Sequence, residues 1–141
     1  MLLDISPLTP IQFPLLDKFY RAQRSPMRIG RAERAWVARS GGEVVAGVCL
    51  TPVAHGYWLT GLLVAPAYRN GGLATALLGR LRAQVSGPIW LFCHPDLQEF
   101  YERSGYRACE QLPEALADRL ASYRRHKRLI AMVNGGVVAY G

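Results

Sequence analysis

The pattern of apolar and polar positions changes period several times along this chain. Residues 2–6 read as a short strand. Across 8–23, Leu8, Ile11, Leu15, Leu16 and Phe19 recur at helical spacing. Pro10 suits a first helical turn, and Pro14 predicts a bend or restart because its ring does not fit a helix interior. Residues 24–33 are polar and basic and read as a loop or short helix over one edge. The period then drops to two. Ala35 to Arg39 predicts a strand with Trp36 and Ala38 on one face, Gly41-Gly42 a hairpin turn, and Glu43 to Pro52 the returning strand. After a turn at His55-Gly56, Tyr57 to Val64 predicts a third antiparallel strand.

Leu73, Leu77 and Leu81 form one helical row, with Ala74, Leu78 and Val85 beside it. Residues 72–85 therefore read as a helix, stopped by Gly87-Pro88. Ile89 to Cys93 is a continuous apolar run between breakers, which suits a strand covered on both faces. Strand, helix and strand make a βαβ unit, so strands 57–64 and 89–93 are expected to be parallel. Pro95 or Asp96 starts a helix that Gly105 ends, with Leu97, Phe100 and Tyr101 on one face. Tyr106 to Cys109 begins another strand. Pro113 opens a helix with Leu112, Leu116, Leu120 and Tyr123 in register, and residues 128–133 and 137–140 are the strands expected to close the sheet. The order β, α, β, β, β, α, β, α, β, α, β is that of a mixed α/β sheet.

Composition narrows the class. A 141-residue chain with half its residues apolar is expected to be one globular domain spanning 1–141. No window approaches the roughly 18 consecutive apolar residues of a membrane span. The N-terminus lacks a basic-then-apolar signal arrangement, so a cytoplasmic location is expected and no membrane partner. Cys49, Cys93 and Cys109 are odd in number and lack metal-ligand spacing; they read as small buried hydrophobes, with no metal site. The net charge of +7 gathers in Arg21 to Arg34 and in Arg124-Arg125-His126-Lys127-Arg128. Such a surface suits an anionic cofactor, an acidic partner or nucleic acid. Nucleic acid is the least supported, since no aromatic interleaving or binding motif accompanies the charge.

The most informative stretch is Leu62-Leu63-Val64-Ala65-Pro66-Ala67-Tyr68-Arg69-Asn70-Gly71-Gly72-Leu73-Ala74. An apolar strand runs into a loop that delivers two glycines to a helix start. First-turn N–H groups lack internal partners and sit at the positive end of the dipole. Glycines remove side chains that would hold a phosphate away, so the loop reads as an anion cradle. The alternative is a turn that needs glycine for geometry alone. The dinucleotide fingerprint and the P-loop both fail on spacing.

Arg69-Asn70-Gly71-Gly72-Leu73-Ala74 resembles the R/Q-x-x-G-x-G/A pyrophosphate loop of the GNAT superfamily of acetyl-CoA-dependent N-acetyltransferases. Leu97-x-x-Phe100-Tyr101-x-x-x-Gly105-Tyr106 is similar to that family's A-x-x-F-Y-x-x-x-G-F segment, in the right order. The resemblance implies a mixed, mostly antiparallel α/β sheet with helices on both faces and a central parallel pair splayed around the cofactor. The helix near residue 118 is additional to that order. The implied activity is transfer of the acetyl group of acetyl-CoA to a primary amine of a small molecule, amino acid or peptide by direct attack. Arg69 to Ala74 would hold the pyrophosphate, Leu62, Leu63 and Val64 would offer backbone N–H groups beside the pantetheine arm, and Leu97 and Phe100 would also line the cofactor.

That chemistry needs an aimed donor for an oxyanion, a proton for the leaving thiolate and a sink for the amine's proton. In the family the tyrosine of this segment points at the sulfur, which implies Tyr101 as the acid. Packing beside Leu97 and Phe100 is its alternative role. Thr60 appears where many relatives place a glutamate base, and it cannot serve. His94 replaces the family's common Asn; it is either a base, an oriented hydrogen-bonding group or a helix cap. His55 is expected to face solvent in its turn. Residues 20–35, the His55 turn and 108–125 would build the acceptor site, where Glu110, Glu114 and Asp118 could offset the basic field. A homodimer is compatible with this reading, and a non-catalytic acetyl-CoA sensor or scaffold is the alternative function.

Overall fold

The computed structural model describes residues 3–135. The strands are β1 (Leu3–Pro7), β2 (Arg34–Ser40), β3 (Glu43–Val53), β4 (Gly56–Val64), β5 (Ile89–Cys93), β6 (Arg107–Ala108) and β7 (Ile130–Asn134). The helices are α1 (Phe13–Ala22), α2 (Leu73–Gln84), α3 (Gln98–Arg103) and α4 (Glu114–Tyr123). The strand order is β1-β2-β3-β4-β5-β7-β6. Pairing is antiparallel at β1/β2, β2/β3, β5/β7 and β6/β7. It is parallel at β4/β5, with Tyr57 opposite Ile89 and Trp58 opposite Trp90, as a βαβ connection requires. The strand expected at 137–140 lies outside the described residues.

The chain divides into two compact units. The first holds the residues up to Thr51 together with Leu59–Val85. Its helical segment starts later than the 8–23 periodicity predicts. Thr9 donates its N–H to Gln12 Oε1 at 3.0 Å and caps a 3-10 turn over Pro10–Gln12, and α1 restarts at Phe13 with Pro14 in its first turn. The break rotates the apolar row: Leu16, Phe19 and Tyr20 are buried, whereas Ile11 and Leu15 are exposed. Strand β2 is buried on both faces. Ala35 and Val37 pack in one core with Leu16, Phe19 and Tyr20, and on the other side Trp36 Nε1 donates to Gln84 of α2. Helix α2 buries Leu73, Leu77, Leu78 and Leu81, the row the spacing predicts.

The second unit holds Pro52–Trp58 and the residues from Ser86 on. Ile89, Trp90, Leu91 and Cys93 of β5 are buried, the continuous apolar run of a strand covered on both faces. Trp90, Leu116 and Val133 form a core on which Trp58, Phe92 and Leu112 pack. Arg119 places its guanidinium 4.9 Å from the centre of the Trp58 ring. Helix α4, the element additional to the expected order, buries Leu116 and Leu120 and so covers this core.

Candidate acetyl-transfer site

In the first unit, β4 ends at Val64 and a 3-10 turn over Pro66–Tyr68 leads to the glycine loop. Arg69 Nε donates to Val64 O at 2.8 Å, tying the loop back to the strand end and leaving the two terminal nitrogens as donors. Asn70 (φ 66°) and Gly72 (φ 83°) are both left-handed. Gly72 is the N-cap residue of α2, and among the described residues no side chain caps that helix. The first-turn amides therefore remain to be met by a ligand or water. A Cβ at Gly71 or Gly72 would meet nothing within 4 Å, so the space above the loop is open. Buried Leu73 anchors the helix start beneath it, with Ala74 half-buried. These residues fit a diphosphate: free amides at a positive helix end, bare backbone and one arginine.

Upstream, Leu62 and Leu63 are half-buried and Val64 is buried. They follow a feature the sequence reading missed. Gly61 has φ 69°, a left-handed residue inside a strand. Tyr20 of α1 donates its hydroxyl to Gly61 O at 2.7 Å, and the same hydroxyl oxygen lies 3.5 Å from Cys49 Sγ. A Cβ at Gly61 would collide with that hydroxyl. The irregularity is thus pinned by a fully buried tyrosine. Two signals could have found it: an isolated glycine in an apolar strand, and Tyr20 four residues after Leu16.

In the second unit, His94 caps a 3-10 turn over Pro95–Leu97 that runs into α3. Its Nδ1 accepts from the Asp96 N–H at 3.1 Å and lies 3.4 Å from an Asp96 carboxylate oxygen. With Nδ1 accepting, the neutral ring carries its proton on Nε2 and presents a donor there. Tyr101 is buried, while Phe100 is half-buried and Leu97 exposed. The Tyr101 ring stands edge-on to Phe100 at 5.0 Å and to Tyr106 at 5.7 Å. The helix stop explains the motif's spacing. Tyr106 N–H donates to Tyr101 O at 3.0 Å and Gly105 N–H to Glu102 O at 3.1 Å, the paired bonds of a Schellman end with its apolar contact. Burial, and secondarily Cys93, push the Tyr101 phenol up to about 12, so it stays protonated across the neutral range.

The remaining candidates sort plainly. Thr60 is half-buried and Glu110, Glu114 and Asp118 are exposed. His55 is exposed and meets Trp90 edge-on at 5.5 Å. Cys49 and Cys93 are buried, Cys109 is half-buried, and all three are free thiols. Burial raises the Cys49 thiol to about 11, which suits an inert side chain. Among the described residues no group of three metal-ligating side chains occurs, and no helix is long and apolar enough to cross a membrane.

The acetyltransferase (GNAT) family model matches residues 3–106. The chain belongs to the GNAT acetyltransferase family. That family is one of acyltransferases, and acetyl-CoA is its cosubstrate. The chain is 30% identical over 140 residues to a mycothiol acetyltransferase of Kocuria rhizophila, a match covering 83% of this chain and 46% of that relative. The GNAT chain thus spans less than half the length of this curated relative. Its fold is that of Escherichia coli ElaA (TM-score 0.71, 16% identity, 95% of this chain and 100% of that one). It is also that of a GNAT family acetyltransferase from Elizabethkingia anophelis solved with acetyl-CoA bound (TM-score 0.64, 14% identity, 94% and 97%).

Proposed function

We propose that residues 1–141 act as one N-acetyltransferase domain that moves the acetyl group of acetyl-CoA to a primary amine of a small molecule, amino acid or peptide. The observation that carries the reading is the uncapped, glycine-lined start of α2, which offers amides and Arg69 to a diphosphate. Bound acetyl-CoA supplies an acyl group activated as a thioester. The chain's residues do the rest. Arg69 to Ala74 hold the diphosphate, Leu62 to Val64 offer backbone donors, and Leu97 and Phe100 give apolar surface to the pantetheine arm. Tyr101 holds a proton for the sulfur. Its raised pKa makes complete transfer to a thiolate near 8.5 uphill, so it acts by donating a hydrogen bond that strengthens as charge builds on sulfur. His94 offers its Nε2–H, and the acceptor amine loses its proton to water. Free thiols at all three cysteines favour a reducing, cytoplasmic setting.

Replacing Gly72 by Glu tests the cradle. Its Cβ enters open space, though φ 83° strains any side chain there, and bulk and negative charge then occupy the phosphate position. Acetyl-CoA affinity should fall at least about 100-fold, as expected for a charge-assisted site turned repulsive. Unchanged affinity by calorimetry, in a variant with native circular dichroism, would show that the diphosphate sits elsewhere.

A further inference from the structure

The basic segment after α4 is an ordered surface. The N–H groups of Arg124, Arg125, His126 and Lys127 all donate to carbonyls of 120–123, extending the helix end by a turn. Arg124 is fixed as well: Nε and Nη2 donate to Leu129 O at 3.1 and 3.0 Å, leaving Nη1 as a donor. Arg124, Lys127 and Arg128 line a groove with Pro95, Leu129 and Ile130. Ile130 pairs with Cys93, the last residue of β5, and His94 and Pro95 follow at once. The groove therefore opens beside the segment that carries His94. It joins three cationic side chains to an apolar floor, and among the described residues no carboxylate lines it. Asp96 is turned to His94, and Glu110, Glu114 and Asp118 lie outside.

We infer that this groove receives the anionic end, carboxylate or phosphate, of an acidic acceptor amine. The inference rests on the acetyl-transfer reading and names its substrate class. Arg124, held by Leu129, presents a fixed donor; Lys127 and Arg128 supply adjustable charge; Pro95, Leu129 and Ile130 contact a short aliphatic stem. A polyamine is rejected by the same three cations.

The test uses the purified full chain, acetyl-CoA and pairs of amines that differ in one negatively charged group: O-phosphoethanolamine with ethanolamine, and glycine with glycinamide. The acidic member of at least one pair should be preferred about 10–100-fold in kcat/KM, the range of one charge-assisted contact. A Lys127→Glu/Arg128→Glu double variant should abolish that preference through the acceptor KM and move the acetyl-CoA KM less than about twofold. Native thermal melting confirms that the variant folds. Equal use of acidic and neutral members overturns the inference. So does a double variant whose acetyl-CoA KM rises while the acid preference persists, since the groove then serves a phosphate of the donor. Calorimetric binding of the same pairs to the acetyl-CoA-loaded protein reads the groove without turnover. Selective binding of the acidic member without transfer would sustain the groove and refute the transferase reading. Absence of selective binding would refute the groove whatever the turnover.

Discussion

Two buried tyrosines, one in each unit, differ in what their hydroxyls meet. Tyr20 is fully buried, and its hydroxyl is committed: it donates to Gly61 O at 2.7 Å and touches Cys49 Sγ at 3.5 Å. Tyr101 is 7% exposed, packed edge-on by Phe100 and Tyr106, and its hydroxyl has no hydrogen-bond partner among the described residues. Burial raises the pKa of both phenols. Depth and pKa therefore do not separate the two phenols. The partner of the hydroxyl does. The Tyr20 phenol holds the backbone at Gly61; the Tyr101 phenol is the one proposed above to donate to the sulfur.

The strongest way to break this contrast is Tyr101→Phe, which keeps the ring and its edge contacts and removes the proton. Turnover should fall about 10²–10³-fold, the effect of losing one donor aimed at developing charge, in kcat and kcat/KM alike, with acetyl-CoA affinity little changed. Turnover within about threefold of wild type would make Tyr101 a packing residue like Tyr20. The pH dependence sharpens the point. Because the folded pKa is raised to about 12, the donor stays loaded through pH 10 and adds no alkaline fall in rate there. The same shift costs stability at high pH. Above the ordinary phenol value near 10 the unfolded chain releases a proton that the folded chain retains, so stability is full below pH 10 and declines as pH rises through about 12. Tyr101 alone accounts for about 2–3 kcal/mol of that decline, and Tyr101→Phe should flatten the slope in alkaline denaturation.

Tyr20→Phe should do the opposite. It leaves the Gly61 carbonyl without its donor, which costs about 1–3 kcal/mol and a few degrees in Tm for each. The rate of the folded remainder should stay within a few-fold of wild type. A hundredfold loss in kcat at unchanged Tm would mean that the Gly61 irregularity is tuned for chemistry, and the two tyrosines would no longer differ in kind.

How much of this was legible in the sequence follows from the range of the forces involved. The α2 row of Leu73, Leu77 and Leu81, the apolar run of β5 and the Arg69–Ala74 loop were all legible, because each is written in a local pattern. The family segment around Tyr101 was legible too, and its geometry explains the spacing: the Gly105 stop brings Tyr106 onto Tyr101. The exposure of Ile11 and Leu15 was not, since it depends on where Pro10 and Pro14 divide one periodic stretch into a 3-10 turn and a helix. Nor was the Tyr20–Gly61 bond, which joins residues 41 positions apart. The cluster at 124–128 was visible as charge, but its apolar floor needs β7 beside β5.

The smallest expected effect concerns His94, which follows Cys93 at the end of β5 and opens the turn that leads to α3. Its Nδ1 is engaged by the Asp96 N–H, so the neutral ring has no free lone pair with which to take a proton from the amine. What it offers is a hydrogen bond from Nε2 and a cap on the turn. His94→Ala should therefore lower turnover less than about tenfold, well below a general-base effect, and destabilise the protein by about 1 kcal/mol through the lost cap. His94→Asn should recover both properties. Its amide oxygen can accept from Asp96 N–H, and its NH₂ group can donate in place of Nε2. A folded His94→Ala protein that binds acetyl-CoA and is inactive, with Asn unable to restore it, would make the imidazole the proton acceptor. The exposed side chain would then be the chemical partner of Tyr101.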